Sequence, residues 1–345
     1  MPVLTERDAM RRALHLAATP GVPLGPNPRV GCVLLDPSGR PVAEGYHRGA
    51  GTPHAEVDAL SVAGDRARGG TAVVTLEPCS HTGRTGPCTR ALLQAGVRRV
   101  VYAQADTSPE AAGGAAALLA AGLEVVGGVM VDEARLLNPA WTFATDHQRP
   151  FVTWKFAASL DGRSAAADGT SRWISSAAAR RDTHLLRRRC DTVLAGTGTV
   201  LTDDPELSAR DEADRPLPAD RQPLRAVMGL REVPASRRVR NGVAETVLLD
   251  TRDPAEALAR LFAHGRRHVL LEGGPKLAAA FLSAGYVDEV IAYLAPMLLG
   301  CGPASVADLG IGTIADACRL AVVDVATLGE GPDRNVRLTM TVGAG

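Results

Sequence analysis

The triplet His54-Ala55-Glu56 is answered by Pro78-Cys79 and, after eight intervening residues, by Cys88. One imidazole and two thiolates make three ligands for a tetrahedral zinc. Three protein ligands leave the fourth position open for water, which separates a catalytic zinc from a closed structural one. Glu56 does not readily join the ligand set, because positions i and i+2 on a helix point about 200° apart. A helix opening here aims the two side chains differently, and a carboxylate beside the zinc-bound water but off the metal suits proton shuttling.

This order is the H-x-E…P-C pattern of zinc enzymes that remove the exocyclic amine of a nucleobase. Zinc brings the pKa of its water near neutrality. Hydroxide attacks the ring carbon bearing the amine, Glu56 carries the proton across, and ammonia leaves. Taken singly, His54 reads equally as a core histidine and the cysteines as buried thiols. Their recurrence in order, each at the head of a plausible helix and with Pro78 before the first cysteine, favours the metal site. The gap of eight departs from the usual two.

Around the triplet, strands alternate with helices. Thr5 to Asp8 opens a helix in capping-box style, with Met10, Ala13, Leu14 and Ala17 at helical spacing. Val30 to Leu35 reads as a strand turning through Pro37-Ser38-Gly39 into Val42-Ala43-Glu44. His54 to Ala63 and Thr89 to Ala95 read as helices, the second stopped by Gly96; Ala111 to Ala121 is a third. Thr71 to Leu76, Arg98 to Ala103 and Leu123 to Val126 read as strands. The pattern predicts a layered α/β domain with its site at strand ends. Helix starts there favour thiolate.

The runs Asn27-Pro28-Arg29-Val30-Gly31, Gly45-Tyr46-His47, Pro53-His54-Ala55-Glu56 and Glu77 through Cys88, filled by Ser80-His81-Thr82-Gly83-Arg84-Thr85-Gly86-Pro87, resemble the deaminase half of the bifunctional riboflavin-biosynthesis deaminase/reductases. The long cysteine gap is that family's own variation; Gly86 stands where it usually has Pro. The resemblance implies a cytidine-deaminase-like domain over residues 1–147. It also implies zinc on His54, Cys79 and Cys88, Glu56 as the catalytic carboxylate, and Asn27, His47 and Arg84 on the substrate's pyrimidine or phosphate. By their own pattern these last three read as a turn residue, a surface histidine and a solvated arginine.

Asn138-Pro139 and Asp146 to Pro150 are polar and turn-prone, and a boundary is expected there. Beyond it, strands are expected at Phe151 to Ala158, Thr192 to Ala195, Leu224 to Met228, Thr246 to Leu249 and His268 to Glu272. Ser175 or Ser176 caps a helix running to about Arg189. Arg319 to Leu328 and Asn335 to Val342 read as an edge hairpin, and Asp203 to Gln222 as a mobile, proline-rich loop. Gly273-Gly274-Pro275-Lys276 offers bare amides at a helix start, and Gly196-Thr197-Gly198-Thr199 is a second glycine turn. Neither is a dinucleotide fingerprint, and a tight turn explains each as well.

Lys155 to Gly162, Ser171 to Ser175, Gly198 to Pro205 and Glu272 to Pro275 are similar to the same family's reductase half, a dihydrofolate-reductase-like α/β domain that uses NADPH. The resemblance places that domain at residues 150–343. It sets Ala157, Trp173, Thr199, Asp203 and Gly274 on NADPH, and Ser171, Arg187, Leu207, Arg210 and Glu272 on the substrate. Arg187 and Arg210 suit a sugar phosphate, since guanidinium forks onto phosphate; on pattern alone Arg187, inside Arg187-Arg188-Arg189, is a solvated helix face. Lys155 is expected to handle a proton or charge. After Met228 the family shows Asp-Ser where this chain has Gly229-Leu230. That departure implies weaker NADPH binding or a preference for NADH, and it motivates a second reading, a deaminase whose reductase-like half has lost hydride transfer.

Composition fits a two-domain enzyme. The chain has 345 residues and no net charge, which argues against a nucleic-acid binder relying on phosphate neutralisation. No apolar run has membrane-spanning length, and six scattered cysteines form no disulfide pattern, so a cytoplasmic setting is expected. Only two of the 38 basic residues are lysines, Lys155 and Lys276, which marks both as places where a compact ammonium is needed. The expected partner is a small phosphorylated pyrimidine, with no nucleic acid and no membrane. The family leads one to expect a homo-oligomer, dimer or tetramer.

Overall fold

The computed structural model describes residues 2–22, 25–81, 86–108, 113–331 and 334–343. The chain divides into two compact units, Met1–Gln148 and Arg149–Gly345.

Unit 1 runs α1 (Glu6–Ala17), β1 (Gly31–Leu35), β2 (Pro41–Tyr46), α2 (Ala55–Ala63), β3 (Thr71–Leu76), α3 (Cys88–Gln94), β4 (Arg99–Gln104), α4 (Gly114–Ala120), β5 (Glu124–Val126), α5 (Val131–Leu137) and α6 (Pro139–His147). Its sheet has the order β2-β1-β3-β4-β5: β1 pairs antiparallel with β2 and β3, while β3-β4 and β4-β5 are parallel. Successive strand side chains point to opposite faces, and both faces are covered. Cys32, Leu34 and Val74 pack with Ala55 and Ala59 of α2; Val33, Val73 and Val101 pack with Met10 and Ala13 of α1 and Ala134 of α5. This double cover is why the strands read as continuous apolar runs. Thr5 caps α1 by accepting from the Asp8 amide at 3.2 Å.

Of the two turn-prone stretches, Asp146 to Pro150 contains the division between the units, at Gln148 and Arg149, whereas Asn138-Pro139 opens helix α6. Pro139 stands at its first turn, and Trp141, Thr142, Ala144 and Thr145 are buried. Proline at a helix start needs no amide partner, so the turn signal there was a helix-start signal.

Unit 2 runs β6 (Phe151–Ser159), α7 (Ala177–Arg189), β7 (Thr192–Gly196), α8 (Thr197–Asp203), β8 (Leu224–Met228), β9 (Thr246–Leu249), α9 (Pro254–Ala263), β10 (His268–Leu271), α10 (Pro275–Ser283), β11 (Glu289–Ala295), β12 (Leu320–Leu328) and β13 (Asn335–Val342). The sheet order is β12-β13-β11-β6-β10-β7-β8-β9. Strands β11 through β9 along that order are parallel, and β13 and β12 close the edge antiparallel. Strand β11, continuous with the core, was not anticipated. One face carries Val152, Trp154, Leu194 and Leu271 against α9 and α10; the other carries Val193, Leu270, Ile291 and Tyr293 against Ala179 and Leu186 of α7. Ser176 caps α7 through the Ala179 amide at 3.2 Å. The glycine turn at Gly196–Thr199 opens α8 rather than forming a simple turn. The Asp203–Gln222 loop is held by Gln222, whose side chain pairs both ways with the Ala209 backbone.

Candidate active sites

The first site is assembled where α2 and α3 begin. His54 is the N-cap of α2, makes no capping bond with its side chain, and turns its imidazole to the cysteines. A Cβ on Gly45 would overlap the backbone of Ala55 and Ala59; only glycine lets α2 lie this close to β2. His54 Nδ1 lies 3.2 Å from Cys88 Sγ and 3.6 Å from Cys79 Sγ. Among the described residues this is the one group whose ligand atoms, all within 4.8 Å of one another, could hold a metal. Both cysteines are buried and free of disulfides. Hydrogen bonds from Cys88, then from His54, hold the Cys79 thiol down to about 4, while Cys79 and burial push the Cys88 thiol up. A buried, convergent N/S₂ donor set fits zinc.

Glu56, in the first turn of α2, is only 3% exposed. Burial pushes its carboxyl above the usual range, with Cys88 as a hydrogen-bonding neighbour. It stands beside the metal-ligating group, as the i, i+2 spacing predicts. His47 Nδ1 lies 3.0 Å from the Pro53 carbonyl and its Nε2 3.2 Å from Asn27 Nδ2. One tautomer satisfies both: Nδ1–H donates to Pro53 and Nε2 accepts from Asn27, which leaves the Asn27 carbonyl oxygen without a partner among the described residues. Asn27 and His47 are thus joined, and the His47 ring meets His54 edge-on at 5.4 Å. Arg84 lies outside the described residues.

Two supports were not foreseen. Asn138 clamps the Asn27-Pro28-Arg29 turn by accepting from the Arg29 amide at 2.8 Å and donating to its carbonyl at 2.9 Å. Buried Glu77 accepts from the Ala115 amide at 2.7 Å and the Asp106 amide at 3.2 Å, fixing the chain after β4 beside the cysteines. The polar run at Asn138 and the charged residue before Pro78 were the only sequence signals for either.

The second site lies at the C-terminal ends of parallel strands, where ligands of open α/β sheets bind. Arg187 and Glu272, 85 residues apart, form a two-pronged ion pair at 2.6 and 3.0 Å. Burial alone would raise the Glu272 carboxyl, but Arg187 and then Lys155 overcome it and hold it at about 2. Arg187 also donates to the Ser208 carbonyl at 2.9 Å, drawing in the loop that carries Leu207 and Arg210. Leu207 is buried, with a positive φ of 54°, and Arg210 is engaged by Glu206 at 2.6 Å. Arg187 and Arg210 are therefore occupied by carboxylates rather than standing as open forks. Lys155 is half-buried, its ammonium 5.6 Å from the Tyr293 ring centre, and desolvation lowers its pKa. His184, which pairs with the Ser208 carbonyl at 3.2 Å, and Glu206 were missed.

Around this cluster, Arg172 donates to the Asp203 carbonyl at 2.7 Å, linking Ser171 and Trp173 to the end of α8. Trp173 is exposed, with Arg180 4.2 Å above its ring. A Cβ on Gly274 would sit 3.5 Å from Thr199 Oγ1, so those two loops touch. Ala157 follows Lys155 on the same face of β6, opposite Tyr293. Glycine-bearing loops at two strand ends, after β7 and β10, fit an extended cofactor, whose phosphates need close backbone approach.

A zinc-binding, cytidine-deaminase-like α/β unit followed by an eight-stranded reductase-type unit defines the class: a two-centre enzyme acting on an aminopyrimidine. Comparison with known proteins agrees. A family model described as "Cytidine and deoxycytidylate deaminase zinc-binding region" matches residues 4–104, and one described as "RibD C-terminal domain" matches residues 150–332. Riboflavin biosynthesis protein RibD of Mycobacterium tuberculosis is 49% identical over 310 residues, 89% of each chain. That of Escherichia coli is 40% identical over 356 residues, covering 94% of this chain and 96% of its own. The solved structure of Acinetobacter baumannii RibD superposes with a TM-score of 0.87 at 35% identity, covering 98% of this chain and 99% of that one. The chain belongs to the RibD family, the bifunctional deaminase/reductases of riboflavin biosynthesis. Its cofactors are zinc and NADPH, and no helix among the described residues is long and apolar enough to cross a membrane.

Proposed function

We propose that residues 1–147 hydrolyse the amine from 2,5-diamino-6-(5-phosphoribosylamino)pyrimidin-4-one, and that residues 150–343 then reduce the ribosyl chain of the product to ribityl. The observation that carries this reading is the His54–Cys79–Cys88 donor set with Glu56 buried beside it.

His54, Cys79 and Cys88 hold the metal, which when bound supplies a Lewis acid that makes water nucleophilic at neutral pH. Glu56 takes the proton from the attacking water at its carboxylate. It passes that proton to the ring nitrogen, then takes the remaining proton of the added hydroxyl and delivers it to the departing amine, so that water is consumed and ammonia released. Burial suits the task, since a carboxyl raised toward neutrality both accepts and returns a proton. Asn27, oriented by His47, presents its carbonyl oxygen to the donor edge of the pyrimidine, and Arg84 meets the phosphate.

In the second unit Ala157, Trp173, Thr199, Asp203 and Gly274 hold NADPH, which when bound supplies the hydride. Ser171, Arg187, Leu207, Arg210 and Glu272 shape the substrate pocket, with Arg187 and Glu272 acting as one rigid pair. Lys155 Nζ supplies the proton taken up by the sugar oxygen as the ring opens. Positioning two bound reactants accounts for most of the rate. We also place the enzyme in the cytoplasm, supported by six cysteines with no disulfide. We propose a homo-oligomer, dimer or tetramer, that covers β12, an edge strand exposing Leu320, Val322, Val323 and Val325.

The test is ammonia release from the diaminopyrimidine by wild type and by Glu56→Gln, with zinc content measured in both. The reading requires one zinc per chain in each protein and release from wild type only. Release by the Glu56→Gln protein at the wild-type rate removes Glu56 from the chemistry.

A further inference from the structure

Strands β10, β7 and β8 are neighbours and run parallel, so the loops leaving their C-terminal ends share one rim. A Cβ on Gly274, after β10, would lie 3.5 Å from Thr199 Oγ1, after β7. A Cβ on Gly229, after β8, would come within 2.5 Å of Thr197 Oγ1, and Gly229 has φ +138°. Space and backbone both require glycine there, so no carboxylate can stand at the head of that loop. In dinucleotide sites an acid at the end of the neighbouring strand bonds the ribose 2′-hydroxyl of NAD, whereas an arginine nearby accommodates a 2′-phosphate.

The third loop supplies such an arginine. The Arg231 guanidinium lies against the bare backbone of Gly198, where a Cβ on Gly198 would meet Nη2 at 2.9 Å. Arg231 is exposed and takes part in no hydrogen bond or ion pair among the described residues. Three inward-lying arginines of this unit are committed: Arg187 to Glu272, Arg210 to Glu206, and Arg225 to backbone carbonyls and Asn241. Arg231 thus leaves its fork open on the rim, one residue from Thr199.

We propose that Arg231 recognises the phosphate on the adenosine 2′-oxygen and makes this unit select NADPH over NADH; this rests on the reading in which Thr199 and Gly274 meet the cofactor. A dianionic phosphate offers two oxygens to a planar guanidinium, and a 2′-hydroxyl offers no charge. On this reading Arg231 supplies, from the same loop, a cofactor contact in place of the one that the Gly229-Leu230 departure removes.

The experiment is calorimetric titration of the full-length, zinc-loaded protein with 2′,5′-ADP and with 5′-ADP, which reads binding without turnover. Wild type should bind 2′,5′-ADP more tightly. Arg231→Ala should weaken 2′,5′-ADP by roughly ten- to hundredfold and leave 5′-ADP unchanged, with Arg231→Lys in between. Unchanged melting of the alanine variant, expected for an exposed side chain, confirms that it is folded. Discrimination that survives in Arg231→Ala, or that is lost in Lys276→Ala instead, overturns the assignment while leaving the cofactor loops in place. A wild type that binds neither nucleotide nor NADPH brings down the reading of the loops and Arg231 with it.

Discussion

In the first unit every group of the reacting centre lies in the span from His54 to Cys88, on a helix cap, a helix first turn and the chain between them. In the second unit Lys155, Arg187 and Glu272 come from β6, α7 and the end of β10, and only the strand order β6-β10-β7 brings them together. The first centre is a local device that needs its metal; the second is a product of topology that needs its buried ion pair. Damage to each should therefore look different. Loss of a ligand should abolish chemistry and spare folding elsewhere, whereas loss of one ion-pair partner should cost both stability and chemistry.

The largest effect is expected at the ligands. Cys88→Ala should lose its zinc by elemental analysis and lower ammonia release at least a thousandfold, to an order of magnitude set by the metal's role. Reduction of separately supplied deaminated substrate should persist. Next, Glu56→Gln should retain zinc and lose roughly 10²- to 10⁴-fold in ammonia release, the usual contribution of one acid–base group.

Arg187→Met leaves Glu272 charged in a pocket where both side chains are nearly covered. Denaturant unfolding of unit 2 should show a loss of roughly 3–5 kcal/mol, and the double variant Arg187→Met/Glu272→Leu should recover much of it. Unit 1 should keep its zinc and its ammonia release. The same pair sets a pH dependence. Glu272 is held at about 2, below the ordinary carboxylate value of 4.5, so its contribution is complete above 4.5 and is lost as the pH falls from there toward 2. The stability of unit 2 should fall by at most about 1.4 kcal/mol per pH unit as the pH drops across that window, and the double variant should lack this slope. The smallest effects should be alike in the two units: Thr5→Ala and Ser176→Ala each remove one helix cap and should each cost about 1 kcal/mol.

The same contrast governs what the sequence disclosed. His54, Glu56, Cys79 and Cys88 were legible because helix starts and strand ends are written locally, and the structure gathers the three ligands as their spacing implied. The Arg187–Glu272 pair was not: nothing near Arg187-Arg188-Arg189 distinguishes the one side chain that turns inward from its solvated neighbours. Both residues entered only through resemblance, and the forks expected to hold phosphate are occupied by carboxylates. Asn138 was hidden for a related reason. A polar residue before proline signals a turn, whereas here it stands just ahead of α6 and spends its side chain on Arg29, 109 residues away. Strand β11 was missed because a parallel strand buried on both faces lacks the alternation that marks a half-exposed one.

The central claim is that one chain deaminates first and reduces second. It is tested most directly by following NADPH oxidation by wild type and Glu56→Gln, each given the diaminopyrimidine and, separately, its deaminated product. The account predicts oxidation by wild type with either compound, and by Glu56→Gln only with the deaminated one. Oxidation of NADPH by Glu56→Gln at the wild-type rate with the diaminopyrimidine would contradict it, because reduction would then not depend on prior deamination.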